Sequence, residues 1–323
     1  MPGRSPDFND IAHARDRIEP WIHRTPILTS ATLDRMSGAR LSFKCENLQK
    51  AGAFKVRGAA NAVFGLDDER AAYGVATHSS GNHGLALSRA AQCRGIPATV
   101  VMPRGASRAK SRAVATYGGE IVTCDATMAS RERTLAAVVG RTGADIVHPY
   151  NDARVIAGQA TCALELHEDA GPFDAVVTPI GGGGLISGTA LTLTHLAPRT
   201  RIYAAEPVNA DDAWRSVQGG RLVTVDAPDT IADGLRASLG DITWEIVRER
   251  VTDVLLASED EIVDAMRLVW ERMKIVIEPS SAVAVAVVLA NPDVFRDQRV
   301  GVILTGGNVD LDDLPWSRAG GER

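Results

Sequence analysis

An α/β fold with two open, twisted parallel sheets is predicted by three observations on this 323-residue chain. Short apolar runs alternate with longer alanine-rich helical patterns, the rhythm of βαβ units. Several runs end in glycines or small polar residues, where ligands bind in such folds. A hydrophobic content of 45% supplies enough core for two adjoining domains.

The elements follow in order. A strand over 74–78 leads into a helix over 79–92, and a strand over 98–102 into a helix over 107–117. The rhythm returns with a strand over 174–180, a glycine run, a helix over 185–196 and a strand over 201–205. Residues 299–305 read as a last buried strand, stopped by Gly306-Gly307. No repeat, low-complexity block or long linker interrupts the chain, so domain limits come from topology. The crossings fall near 73 and 151, which makes 1–73 with 152–323 a large domain and 74–151 a smaller inserted one.

Composition narrows the function. A net charge of -5 and a pI near 5.8 leave no basic field for nucleic acid. No apolar stretch reaches the roughly 20 residues that cross a bilayer, and the first residues are polar, so a cytoplasmic protein is expected. Cys45, Cys93, Cys124 and Cys162 form no CxxC pair and are expected to be reduced and mostly buried. The lysines are Lys44, Lys50, Lys55, Lys110 and Lys274, and arginine, which forms no imine, carries most of the positive charge.

Five motifs carry chemistry. In Gln49-Lys-Ala-Gly-Ala-Phe-Lys-Val-Arg-Gly58, Lys55 opens a helix beside Arg57. The helix dipole and the neighbouring cation should both lower its pKa, freeing its amine to attack an aldehyde; a solvated surface lysine is the plain alternative. Thr77-His-Ser-Ser-Gly-Asn-His-Gly84 lies at a strand-to-helix turn whose free N–H groups suit a carboxylate or phosphate, with helix capping by Ser80 or Asn82 as the alternative. Pro179-Ile-Gly-Gly-Gly-Gly-Leu-Ile-Ser-Gly188 is a phosphate cradle without the ending of a P-loop. It also misses GxGxxG, yet Glu206 closes the next strand where a dinucleotide fold keeps its ribose-binding acid, so a nicotinamide-dependent dehydrogenase stays a rival from this segment alone. In Leu304-Thr-Gly-Gly-Asn-Val-Asp310, the Thr305 hydroxyl can donate to a neutral ring nitrogen or to local backbone. Glu206-Pro-Val-Asn-Ala-Asp-Asp212 can gather carboxylates and carbonyls on a hard divalent cation, or form a solvated acidic turn.

In this order the motifs resemble the fold-type II (tryptophan synthase β-like) pyridoxal phosphate enzymes, the group of serine and threonine dehydratases, serine racemase and 3-hydroxyaspartate dehydratase. The likeness runs from Arg24-Thr-Pro-Ile-Leu-Thr-Ser to Thr305-Gly-Gly-Asn-Val-Asp. It includes His148-Pro-Tyr-Asn-Asp, Val155-Ile-Ala-Gly-Gln, Thr230-Ile-Ala-Asp-Gly and Trp270-Glu-Arg-Met-Lys-Ile-Val-Ile-Glu-Pro.

The resemblance implies that Lys55 is the Schiff-base lysine, that Phe54 packs on the cofactor ring and that Asn82 bonds its phenolic oxygen. Gly181, Gly182, Gly183 and Gly184, with Leu185 beside them, would hold its phosphate, and Thr305 its pyridine nitrogen. Ser79, Ser80, Asn82 and His83 would form the substrate side, with Ser80 on the face opposite Lys55. Glu206, the Ala210 carbonyl and Asp212 match a site for magnesium, manganese or calcium in the racemase and hydroxyaspartate branch. Arg131 aligns with an arginine near bound dicarboxylate there, which ranks 3-hydroxyaspartate ahead of serine or threonine as substrate. Two departures bear on the substrate: Ala53 and Ala237 stand where many members, and eukaryotic serine racemase respectively, have serine.

The expected activity is a carbon–nitrogen lyase that removes water and then ammonia, with Lys55 as base at Cα. Racemisation, using Ser80 on the second face, is the alternative. A homodimer is what the resemblance implies.

Overall fold

A computed structural model describes residues 4–79, 81–105 and 108–317. Its strands are β1 (Ile27–Leu28), β2 (Arg40–Cys45), β3 (Val75–His78), β4 (Ala98–Pro103), β5 (Glu120–Cys124), β6 (Asp145–Ile146), β7 (Ala175–Pro179), β8 (Arg201–Pro207), β9 (Asp253–Ala257) and β10 (Arg299–Leu304). They form a six-stranded sheet ordered β1-β2-β10-β7-β8-β9 and a four-stranded sheet ordered β5-β4-β3-β6. Every pairing is parallel except β1 with β2, so both sheets are parallel as expected, with one antiparallel strand added at an edge. A two-residue strand at an edge needs no crossover helix and can run either way.

The large sheet is covered on both faces, and the alternation of side chains shows it. Ala175 and Val177 join one buried cluster, whereas Val176 between them joins the other. Val302 stands opposite both Phe43 and Val177, so β10 is a central strand. The helix Pro279–Ala290 is apolar all round and buried from Ser280 to Val288, as a helix inside one of these layers must be.

The small sheet contains only strands from residues 75–146, but its core reaches outside that range. Val56, Ala59, Ala62 and Val63 of the helix Lys55–Phe64 pack with Val75, Ala86, Leu87 and Val155. The helix that begins at Lys55 therefore sits between the sheets. The expected helices are shifted at their ends: the one after β3 runs Asn82–Arg94, the one after β4 Arg108–Thr116, and the one after the glycine turn Gly184–Leu196. All four cysteines are free thiols, and Cys45, Cys124 and Cys162 are buried. No helix among the described residues is long and apolar enough to cross a membrane.

Candidate active site

The carboxyl ends of β3, β7 and β10 open into one cleft of about 220 Å³. Lys55 enters it because its loop is laid on the end of β10. Phe54 N donates to Thr305 O at 3.0 Å, and Ala53 pairs with Gly306 in an antiparallel bridge. Lys55 is the first residue of its helix, and its Nζ donates to the Pro149 carbonyl at 2.9 Å while lying 5.1 Å from the Phe54 ring centre.

Burial lowers the Lys55 pKa to about 8, against the attraction of the Glu278 carboxylate. The direction is the expected one, but the assigned cause is corrected. Arg57 turns away from Lys55 and is fully buried between Glu46, bonded at 2.7 and 2.8 Å, and Glu165, bonded at 2.7 and 2.8 Å. Its charge is matched there, and desolvation acts on Lys55 instead.

The glycine turn leaves no room for side chains. A Cβ on Gly182 would enter the Tyr150 ring, one on Gly181 would meet Leu235 Cα at 2.8 Å, and one on Gly183 would meet Leu239 Cδ2 at 2.5 Å. Gly183 also holds φ +87°, a left-handed conformation that suits glycine. The Thr243 hydroxyl donates to Gly182 O at 2.9 Å and holds that carbonyl on the protein side of the turn. The helix Gly184–Leu196 then begins with no side-chain cap, so its first N–H groups are available to an anion.

The turn after β3 is built likewise. Among the described residues the helix Asn82–Arg94 has no side-chain cap, so capping by Asn82 does not account for the polar residues at this turn. Ser79 Oγ accepts from Gly81 N at 3.3 Å, and Asn82 Nδ2 donates to Glu278 Oε1 at 2.7 Å. Ser80 lies outside the described residues. His83 is 2% exposed; its Nε2 is 3.1 Å from Val147 O, and its Nδ1 is buried without a hydrogen-bond partner among the described residues.

Burial keeps three histidines here neutral: it lowers the pKa of His78, lowers that of His83 well below the usual value, and lowers that of His148 to about 4. His148 Nδ1 accepts from the backbone N–H of Asn151 at 2.9 Å, so its ring proton sits on Nε2. Arg131, on the helix Met128–Thr142, lines the cleft, and its Nε is buried with no hydrogen-bond partner among the described residues.

Of the predicted residues, Phe54, Lys55, Ser79, Asn82, His83, Arg131, Gly181, Gly182, Gly183, Gly184, Leu185 and Thr305 line this cleft together. Glu206, Ala210 and Asp212 are not among its lining and form a separate buried group. Glu206 accepts from Ala213 N and Trp214 N at 2.8 Å each, and burial raises its pKa to about 8. Burial also raises Asp212, whose Oδ2 has no hydrogen-bond partner among the described residues. Among the described residues no three His, Cys, Asp or Glu side chains are grouped for a metal, so a cation here would need carbonyl and water ligands besides these two carboxylates.

Residue-level reading missed Pro149, Tyr150, Glu278 and Arg236, which also line the cleft. The first three stand in stretches marked only as resemblance, and their position after a short strand or before a helix was the available signal.

The sequence pattern of the family described as "Pyridoxal-phosphate dependent enzyme" matches residues 18–306. The chain belongs to that family. A protein named beta-hydroxyaspartate dehydratase from Paracoccus denitrificans (strain Pd 1222) is 60% identical over 312 residues, covering 97% of this chain and 99% of that protein. A serine racemase from Arabidopsis thaliana is 52% identical over 313 residues, covering 95% of each. The structure of maize serine racemase superposes with a TM-score of 0.94 at 46% identity, covering 98% of each chain.

The cleft of this pyridoxal-phosphate dependent enzyme fits its cofactor. The crowded glycine turn suits a phosphate, the buried amine with its lowered pKa suits an aldehyde, and the Thr305 end of β10 lies beside both. Membership settles the rivalry over the glycine turn in favour of pyridoxal phosphate over a nicotinamide.

Proposed function

We propose that this enzyme removes water and then ammonia from 3-hydroxyaspartate, giving oxaloacetate by way of its imine. The observation that carries the substrate choice is the buried Nε of Arg131 in the cleft, without a hydrogen-bond partner among the described residues and part of a planar donor fork suited to a second carboxylate. The 60% identity to a protein named for that substrate supports it.

Pyridoxal phosphate, when bound, supplies an electron sink for the carbon that gives up its proton. The chain's residues do the rest. The glycine turn and the N–H groups of the helix Gly184–Leu196 hold the phosphate, Phe54 packs on the ring, and Thr305 donates to the ring nitrogen without protonating it. Asn82 donates to the ring's hydroxyl oxygen. Ser79, His83 and the uncapped start of the helix Asn82–Arg94 hold the substrate's α-carboxylate. The Lys55 amine, neutral above about pH 8, takes the Cα proton. Glu206, the Ala210 carbonyl and Asp212 hold a divalent cation, magnesium, manganese or calcium, that offsets two buried carboxylates. Residues 74–151 act as a small domain against the remainder, and the enzyme works as a cytoplasmic homodimer.

A second reading, racemisation, is favoured by the likeness to serine racemases, with Ser80 serving the face opposite Lys55. Supplying the stereoisomers of hydroxyaspartate, serine and threonine separately, and measuring 2-oxo acid against inverted amino acid, tests both. Hydroxyaspartate should give the highest kcat/KM for oxo acid; inversion of serine with no oxo acid from any substrate would overturn the proposal.

A further inference from the structure

Asn308 stands where three segments meet: the turn before Lys55, the chain beyond β10 and the first turn of the helix Asn82–Arg94. Its Nδ2 donates to Ala51 O at 2.8 Å and to Asn82 Oδ1 at 3.0 Å. Ala51 and Gly52 hold φ +58° and +71°, and the Asn308 Oδ1 fills the place a Cβ on Gly52 would take. The left-handed turn that delivers Phe54 and Lys55 is therefore built around this amide.

The bonds have a direction. A backbone carbonyl only accepts, so Ala51 O fixes which end of the Asn308 amide is nitrogen. The second Asn308 N–H then fixes Asn82 Oδ1 as the acceptor, which turns Asn82 Nδ2 toward Glu278 Oε1 at 2.7 Å. Asn82 Nδ2 carries two hydrogens. One goes to Glu278, and the other remains for the cleft that Asn82 lines.

We propose that Asn308 is a positioning residue that aims a donor, never the carbonyl, of Asn82 at the hydroxyl oxygen of the cofactor ring. The inference rests on the reading that Asn82 faces that oxygen, and the test separates the two. Kd for pyridoxal phosphate and for its analogue lacking the ring hydroxyl is measured for the full chain and for its Asn308→Asp and Asn82→Ala variants, together with the ratio of visible to near-ultraviolet absorbance of each reconstituted holoenzyme.

Asn308→Asp puts an acceptor against Asn82 Oδ1 and removes the donor that orients it. A lost hydrogen bond of this kind corresponds to roughly 3- to 10-fold. Kd for pyridoxal phosphate should rise by that factor in both variants, with Kd for the analogue nearly unchanged and the absorbance ratio altered. An equal loss for cofactor and analogue in Asn308→Asp, with an unaltered absorbance ratio, would mean that Asn308 only supports the turn and would overturn the inference, while a selective loss in Asn82→Ala kept the reading of Asn82. No selective loss in Asn82→Ala would overturn both. Should Asn308→Asp fail to fold, Asn308→Ser, which keeps a single donor on a shorter side chain, is held to the same comparison.

Discussion

Lys55 Nζ and the Pro149 carbonyl oxygen are 2.9 Å apart, joining the first turn of the helix between the sheets to the loop beyond β6. The bond occupies one N–H and leaves a buried amine whose protonated form is disfavoured. Much of the chemistry expected of this cleft follows from that amine losing its proton near pH 8, well below the ordinary lysine value of 10.5.

Capture of cofactor by the cofactor-free protein should track deprotonation of Lys55. The rate is expected to rise roughly tenfold per pH unit below about pH 8 and to level off above it. Stability gives the linked sign. The folded pKa, about 8, lies below the ordinary lysine value of 10.5, so the folded chain binds fewer protons between them and the cofactor-free protein gains stability as pH rises through that window. Denaturant unfolding of the parent and of Lys55→Met between pH 7 and 10.5 checks this, the difference in stability between the two growing with pH through that window.

Adding one methyl to the glycine turn should expel the phosphate site from its shape. Gly182→Ala drives a Cβ into the Tyr150 ring. Overpacking of this sort costs about 1–3 kcal/mol, read as a roughly 5- to 150-fold rise in Kd for pyridoxal phosphate. Gly140→Ala, where nothing lies within 4 Å of the added atom, should leave Kd unchanged. Absorbance titration of the two variants makes the comparison.

Removing the Arg131 fork should separate substrates by charge. Hydrogen bonds to a charged group contribute about 1.5–3 kcal/mol, so Arg131→Ala is expected to lower kcat/KM on 3-hydroxyaspartate by roughly 10- to 150-fold. Serine, with no second carboxylate, should change by less than about threefold on the same reasoning. Arg131→Lys keeps the charge but loses the fork and should recover only part of the loss.

Chelation tests the acidic pair Glu206 and Asp212. Without a cation the folded Glu206 pKa, about 8, lies above its ordinary 4.5, so the folded chain binds more protons in that window and loses stability as pH rises through it. A bound cation offsets this. A chelator should lower Tm by roughly 5 °C at pH 8 and by less at pH 5, and excess magnesium, manganese or calcium should restore it.

Strand ends were the readable part of this sequence. β3, β7 and β10 are apolar runs closed by polar or glycine turns, so the Ser79 turn, the glycine turn and Thr305 could be placed at strand ends before any coordinates, whereas Lys55 joined them only through the resemblance. β1 and β6, two residues each, are too short to carry a period. Arg57 misled because sequence adjacency is not helical adjacency: residues two apart point to different sides of a helix, and Arg57 faces Glu46 and Glu165. Asn82, Glu278 and Asn308 meet only in the fold, across separations of 196 and 226 residues, and no local pattern announces such a meeting.

Borohydride reduction of the holoenzyme, followed by peptide mass spectrometry, tests the central assignment most directly. The account predicts loss of the visible band and one pyridoxyl group, carried by the peptide containing Lys55. A pyridoxyl group on Lys44, Lys50, Lys110 or Lys274 with Lys55 unmodified would contradict it.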